Sequence, residues 1–180
     1  MDFTEDWFTH NVPNFEACMQ ALDKREIFLE IGSYEGRSTC WLLEHGLADD
    51  GDMYCIDPYA GLDDIYMRFV ANVNEVKKAD QYFQHFRDYS YNTICWMVED
   101  APADPAQFDF IYIDGSHAPD AVLTDACLSW GLLRSGGVML FDDYQYPHEP
   151  TKVGIDGFLE AFGGKYKTIV SNYQYGIQKL

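Results

Sequence analysis

FLEIGSYEGRST, residues 28 to 39, decides the fold. It starts as an apolar run, takes a carboxylate at Glu30, and then places glycine at 32 and 36. IFLEI (27–31), bounded by Gly32, has the short apolar pattern of a buried parallel strand. A helix from about Gly36 to His45 follows, stopping near Gly46. A strand, a glycine-bearing turn and a helix in this order form the first half of a crossover unit.

Working outward, the same alternation repeats. GDMYCIDPY supplies a strand at about 52 to 57, ended by Pro58. Residues 62 to 79 have helical spacing, with Met67, Phe69, Val70, Val73 and Val76 on one side and Lys77 and Lys78 near the end. QYFQHF (81–86) alternates like a strand. Ser90 can cap the next helix, in which Ile94 and Val98 fall four apart before Pro102 forbids continuation. FDFIYID (108–114) is a β-branched and aromatic strand. AVLTDACLSWGLL (121–133) is a helix closed by the SGG that follows, and GVMLFDDY (137–144) is a fifth strand. A helix near 154–162 precedes YKTIV (166–170) and YQYGIQK (173–179), close enough to form a hairpin. Val12 to Leu22 also has helical spacing and covers one edge.

Strands alternating with helices demand right-handed crossovers and a parallel sheet, and a terminal hairpin forces one strand to run antiparallel. The expected fold class is therefore α/β: a doubly wound, Rossmann-like, seven-stranded sheet, mostly parallel, with one antiparallel strand from a C-terminal hairpin. No repeat or Pro/Ser-rich linker divides the 180 residues, so one domain is expected. Residues 1–25 form its N-terminal helical segment and 26–180 its cofactor-binding core.

Thirty acidic against twelve basic residues give a net charge of −18, which repels phosphate backbones and anionic lipid. Nucleic acid and membrane surfaces are thus excluded as partners, although the charge is also what keeps a protein soluble. Five cysteines (Cys18, Cys40, Cys55, Cys95, Cys127) form no C-x-x-C, and several sit in apolar runs as small hydrophobes. A reducing, cytoplasmic setting is expected. MDFTEDWFTH has neither the basic start nor the apolar stretch of a signal peptide, and nowhere do about 18 apolar residues run together.

In a doubly wound sheet ligands bind beyond the carboxyl ends of the strands, where strand order reverses, and the first strand-to-helix turn lies there. Glycines at 32 and 36 let ligand atoms approach the main chain, and N–H groups at the helix start can meet polar ligand groups. Turn chemistry and close helix-to-strand packing would require the same glycines. The spacing is not the phosphate cradle G-x-G-x-x-G, and carboxylates at 30 and 35 would repel a pyrophosphate. A buried Glu30 needs a partner, for which a bound cation is suited. Asp57 ends the second strand 21 residues after Gly36, the place from which an acid bonds ribose hydroxyls. The set suits an adenosyl ligand with a cationic amino-acid tail and no phosphate.

FLEIGSYEGRST, CIDPY, FIYIDGSH and SGGVMLFDDY together resemble the class I S-adenosylmethionine-dependent methyltransferases. More narrowly they resemble the branch with E-x-G-x-x-x-G-x-S, IDG-x-H and a DD pair, which includes macrocin-type sugar O-methyltransferases. The resemblance implies that Glu30, Ile31, Gly32, Ser33, Tyr34, Gly36 and Ser38 hold the methionine part of S-adenosylmethionine. It implies Asp57 for the ribose and Asp88 to Ser90 for the adenine side; the family often has Gly-Asp-Ser where Asp88-Tyr89-Ser90 stands here. Asp114 would contribute to the same cofactor site.

Asp114, Asp142 and Asp143 should emerge together at the ends of the fourth and fifth strands. Three converging carboxylates need protons or a divalent ion, and all-oxygen ligands select Mg²⁺, Mn²⁺ or Ca²⁺ over zinc. Mg²⁺ is the ion expected. His117 lies three residues beyond Asp114. With a reference pKa of about 6.5, an imidazole there can take a hydroxyl proton, so His117 and Asp114 are the expected catalytic pair. Asp142-Asp143 could instead end a strand and cap a turn, and His117 could cap the following helix. His10, His45, His85 and His148 lack an acidic partner motif, although His148 sits on a loop near the site. The expected reaction is O-methylation of a small-molecule hydroxyl with metal assistance. A nicotinamide-dependent oxidoreductase and a non-catalytic scaffold on the same fold are the alternatives. Little chain remains to build a lid, so the acceptor pocket is shallow or completed by the N-terminal segment or by a second subunit in a homodimer.

Overall fold

A computed structural model describes residues 1–99, 107–147 and 150–180. Pro102 and His148 lie outside the described residues. The chain order is α1 (Val12–Ala21), β1 (Ile27–Ile31), α2 (Arg37–Trp41), β2 (Asp52–Ile56), α3 (Asp63–Val76), β3 (Tyr82–Phe86), α4 (Ser90–Glu99), β4 (Phe108–Ile113), α5 (Pro119–Leu132), β5 (Leu133–Phe141), α6 (Thr151–Ala161), β6 (Tyr166–Ser171) and β7 (Tyr175–Lys179). A 3-10 turn at Thr9–Asn11 leads into α1, and a π-helical turn at Leu42–Gly46 extends α2. One seven-stranded sheet has the order β3-β2-β1-β4-β5-β7-β6. β7 alone runs against its neighbours β5 and β6. Strand order reverses between β1 and β4, which pair in parallel, so a crevice must open beyond their carboxyl ends.

Two cores cover the two faces, and the period-two alternation of the strands sorts side chains between them. Phe28, Phe110, Tyr112, Val138 and Leu140 pack with Phe15 of α1, Cys40 of α2 and Phe69 of α3. Leu29, Ile31, Ile111, Ile113, Met139 and Phe141 pack with Ile94 of α4, Val122 and Ala126 of α5, and Phe158 of α6. By the same alternation Glu30 shares the first face with Phe28, while Asp114 and Asp142 continue the rows of Tyr112 and Leu140.

Three local expectations change. SGG does not close α5: the helix passes from Leu132 straight into β5, and Ser135-Gly136-Gly137 lie in an irregular part of that strand, where the register with β4 shifts. Met67 is 63% exposed, whereas Phe69 and Val73 are buried, so the apolar stripe of α3 excludes it. Val98 is likewise exposed although Ile94 is buried. All five cysteines are free; Cys18, Cys40 and Cys55 are buried, Cys95 and Cys127 exposed. No helix among the described residues is long and apolar enough to cross a membrane.

Candidate active site

A cavity of about 730 Å³ opens at the crevice, a size typical of small-molecule sites of roughly 300–1,000 Å³. Its walls include Ile31, Gly32, Ser33, Tyr34 and Ser38 from the first turn, Asp57 beyond β2, and Tyr89 and Ser90 at the start of α4. Opposite these stand Asp114 and His117 beyond β4, and Asp142 and Asp143 beyond β5.

The acids on the β1 side are already matched. Asp57 Oδ2 accepts the main-chain N–H groups of Ser33 and Tyr34, both at 3.0 Å, and its Oδ1 accepts that of Tyr59 at 3.0 Å. Those two turn N–H groups are therefore committed to a side chain rather than free for a ligand. Glu30 is fully buried, and the cavity walls do not include it. Its partners are the hydroxyls of Ser33, Ser38 and Thr39 and the thiol of Cys55. Burial pushes its carboxyl above the usual range, against the pull of those hydroxyls. Glu30 thus fixes Ser33 and Ser38, which do reach the cavity.

The glycines serve packing as well as access. A Cβ on Gly32, at φ +86°, would stand 1.9 Å from the main-chain oxygen of Asp114, so the turn after β1 is pressed against the end of β4. At Gly36 the added atom would meet the Phe69 ring at 2.8 Å. Tyr34 itself holds φ at +47°, and its carbonyl accepts the Tyr59 hydroxyl at 3.0 Å.

At the start of α4, Ser90 does not cap its helix with its hydroxyl; Oγ donates to Asp125 of α5 at 2.6 Å. Burial pushes the Asp125 carboxyl up to about 6. Asp88 is exposed and spends Oδ1 on the N–H of Tyr89 and the amide of Asn92.

The β4 and β5 ends differ. Tyr112, 1% exposed, places its hydroxyl 3.0 Å from Asp114 Oδ2 and 2.5 Å from Asp142 Oδ2. One hydroxyl proton cannot serve both carboxylates at full strength. Burial, then the charges of Asp142 and Asp143, hold the Asp114 carboxyl well above the ordinary range. Burial also raises Asp142, whose Oδ1 takes the Asp143 N–H at 2.9 Å and the Asn11 amide at 3.4 Å. Asp143 adopts φ +55° and accepts the Tyr173 hydroxyl. Its Oδ2 stands 3.1 Å from His117 Nε2.

Ligand atoms of Asp114, His117 and Asp143 lie within 4.8 Å of one another, a grouping able to hold a cation. The structure thus joins His117, rather than Asp142, to Asp114 and Asp143. His117 Nε2 and Asp143 Oδ2 are at ion-pair distance without the alignment of a hydrogen bond; with the proton on Nε2, beside Asp143, Nδ1 keeps the lone pair.

Sequence reasoning passed over Tyr112, although it stands two residues before Asp114 and so on the same face of the strand. It also passed over Asp125 and Asn11, for which no local signal exists. His10, which lacks an acidic partner motif in sequence, lines the cavity with Phe3, Trp7 and Phe8.

Residues 29–144 match a family model described as a methyltransferase domain. An uncharacterised protein of Acanthamoeba polyphaga mimivirus is 28% identical over 120 residues, which cover 66% of this chain and 51% of that protein. The chain therefore spans about half the length of this curated relative. Among solved structures, the O-methyltransferase TomG of Streptomyces achromogenes, in complex with S-adenosylmethionine, has a TM-score of 0.69 at 20% identity over 93% of this chain and 79% of that one. The O-methyltransferase of Bacillus cereus, in complex with S-adenosylhomocysteine, scores 0.70 at 18% identity over 98% and 84%. An rRNA methylase of Streptococcus thermophilus scores 0.63 at 13% identity over 99% of each. At these identities the structural likeness is one of fold.

Proposed function

The chain belongs to the methyltransferase-domain family, and on that premise we propose that it transfers the methyl group of S-adenosylmethionine to a hydroxyl of a small-molecule acceptor. The observation that carries the reading is one cavity with two unlike ends: the Gly32–Ser38 turn with Asp57, and the His117–Asp143 pair beside Asp114. The donor's amino-acid part lies along the turn, its ribose at Asp57 and its adenine toward Tyr89 and Ser90. The acceptor hydroxyl sits against His117.

In the reaction the acceptor oxygen attacks the methyl carbon in line with the carbon–sulfur bond. The bond's electron pair goes to sulfur, turning the sulfonium into a neutral thioether, and the hydroxyl proton passes to His117 Nδ1. Asp143 orients the imidazole and balances the charge it gains. Alignment of oxygen, carbon and sulfur is the main task left to the protein.

Two observations weigh against the alternatives. The Ser33 and Tyr34 N–H groups are held by Asp57, so the turn offers no open cradle for a dinucleotide pyrophosphate. With a net charge of −18, a nucleic acid acceptor is disfavoured, which supports a small molecule over an RNA such as the name of the Streptococcus thermophilus rRNA methylase implies for that protein.

The cluster of Asp114, His117 and Asp143 favours a second reading, in which these residues hold a divalent ion. Such an ion would neutralise the carboxylates and acidify a bound hydroxyl. A nitrogen ligand beside two carboxylates moves the choice from Mg²⁺ toward Mn²⁺ or Fe²⁺. His117 would then be a ligand and not the base, and chelation by EDTA would abolish transfer; unchanged activity would favour the metal-free base. The donor reading itself is tested by following the melting temperature with S-adenosylmethionine, S-adenosylhomocysteine and NADH. Stabilisation by the two adenosyl ligands is expected, and stabilisation by NADH alone would defeat the proposal.

A further inference from the structure

Residues 2–10 run along the rim of the cavity and are gripped by its walls. Thr4 donates both its N–H and its Oγ1 hydrogen to the Glu35 carboxylate, each at 2.7 Å. Glu35 belongs to the first turn, is 3% exposed, and faces Arg68 Nε at 3.0 Å, an ion pair without the alignment of a hydrogen bond. Asn72 closes a pair of hydrogen bonds with the Asp2 main chain, at 2.7 and 2.9 Å. Arg37 donates to the Glu5 carbonyl at 3.1 Å and covers the Phe3 ring at 4.3 Å. At the other end His10 meets Tyr173 edge to face at 5.1 Å, and Tyr173 bonds Asp143.

This strap therefore connects the turn that receives the donor to the pair that takes the proton. Trp7 lies between its two anchorages. The indole packs on Tyr34, with ring centroids 5.2 Å apart and planes at 33°, lines the cavity, and stays 62% exposed. An indole so exposed gains little from burial, so its position is not explained by core packing.

We propose that Trp7 is a specificity-determining residue that contacts the sulfonium end of the donor, with Thr4 and Arg68 acting through Glu35 as positioning residues. The inference rests on the donor reading above. The methyl group must lie between the turn and His117, which is the interval the strap crosses. An aromatic face attracts a cation, and more strongly once water is displaced. The product has lost that charge, so the contact favours the substrate form of the cofactor over the spent form.

The test is calorimetric titration of the full chain with S-adenosylmethionine and, separately, S-adenosylhomocysteine, in the wild type and in folded Trp7→Ala, Trp7→Phe and Thr4→Val variants. Trp7→Ala should weaken S-adenosylmethionine about fivefold and leave S-adenosylhomocysteine within about twofold, with Trp7→Phe restoring most of the difference. Thr4→Val should fall between, because it removes one of the two hydrogen bonds that tie Thr4 to Glu35. Equal weakening of both ligands, or of neither, in Trp7→Ala would overturn the inference; unchanged selectivity in Thr4→Val would overturn the positioning role. Failure of the wild type to bind either ligand would instead overturn the donor reading.

Discussion

The two ends of the cavity both carry buried or half-buried carboxylates, yet they solve the problem of burying them differently. At the β1 end, Glu30, Glu35 and Asp57 are each matched: Glu30 by three hydroxyls and a thiol, Glu35 by the N–H and hydroxyl of Thr4 and the charge of Arg68, and Asp57 by three main-chain N–H groups. At the β4 and β5 end, Asp142 holds the Asn11 amide, the Asp143 N–H and the Tyr112 hydroxyl, whereas Asp114 has a share of that same hydroxyl and Asp143 is left with Tyr173 and His117. Satisfied acids build the frame, and an isolated buried acid costs several kcal/mol unless a partner arrives. The unsatisfied group is accordingly the one from which chemistry is expected.

Substitutions can break or sharpen this contrast. The largest effect belongs to His117→Ala, which should lower methyl transfer to a hydroxyl acceptor by about 10²–10⁴-fold while donor affinity in calorimetry stays within about twofold. A comparable loss of donor binding would mean that the two ends are not separable. Next is Glu30→Ala, which orphans the Ser33, Ser38 and Thr39 hydroxyls around a new void. Denaturant unfolding should show a loss of about 3 kcal/mol, and a neutral result would remove Glu30 from the frame.

The smallest effect should have the opposite sign. Asp114→Asn relieves the crowding at the β4 end and should stabilise the ligand-free chain by about 1–2 kcal/mol at pH 8. Because the folded-state pKa of Asp114 is raised, the wild type is most favoured below the unfolded carboxylate range, near pH 4, and loses stability as pH rises through the higher folded value. The advantage of the variant should therefore grow from pH 5 to pH 8 in thermal melts. A constant difference across that window would show that Asp114 does not carry the repulsion.

Much of the frame was legible from residues alone. β1 occupies the five positions its apolar run marked, and the remaining strands fall within a few residues of expectation, because buried parallel strands are continuous apolar runs cut by glycine or proline. The α5–β5 junction was not legible. Gly136 and Gly137 look like a helix stop, but Leu132 is followed by extended backbone at once, and the glycines serve the irregular pairing of β5 with β4. Exposure of Met67 and Val98 depends on what packs above α3 and α4, which spacing within one helix does not contain.

For the site, acids at strand ends betray its position, since a charged residue closing a buried strand needs a reason. Which acids are paired was hidden. Their partners are set by tertiary approach: Thr4 to Glu35, Asn11 to Asp142, Ser90 to Asp125. The position of His117 was legible, but its grouping with Asp143 across the β4 and β5 ends required the fold.

The most direct measurement is a crystal structure of the chain soaked with S-adenosylhomocysteine. Density should run from the Gly32–Tyr34 turn past Asp57 to Ser90, with the sulfur turned toward His117. Density at another place, or a cavity left without ligand at saturating concentration, would contradict the assignment of the β1 end to the donor.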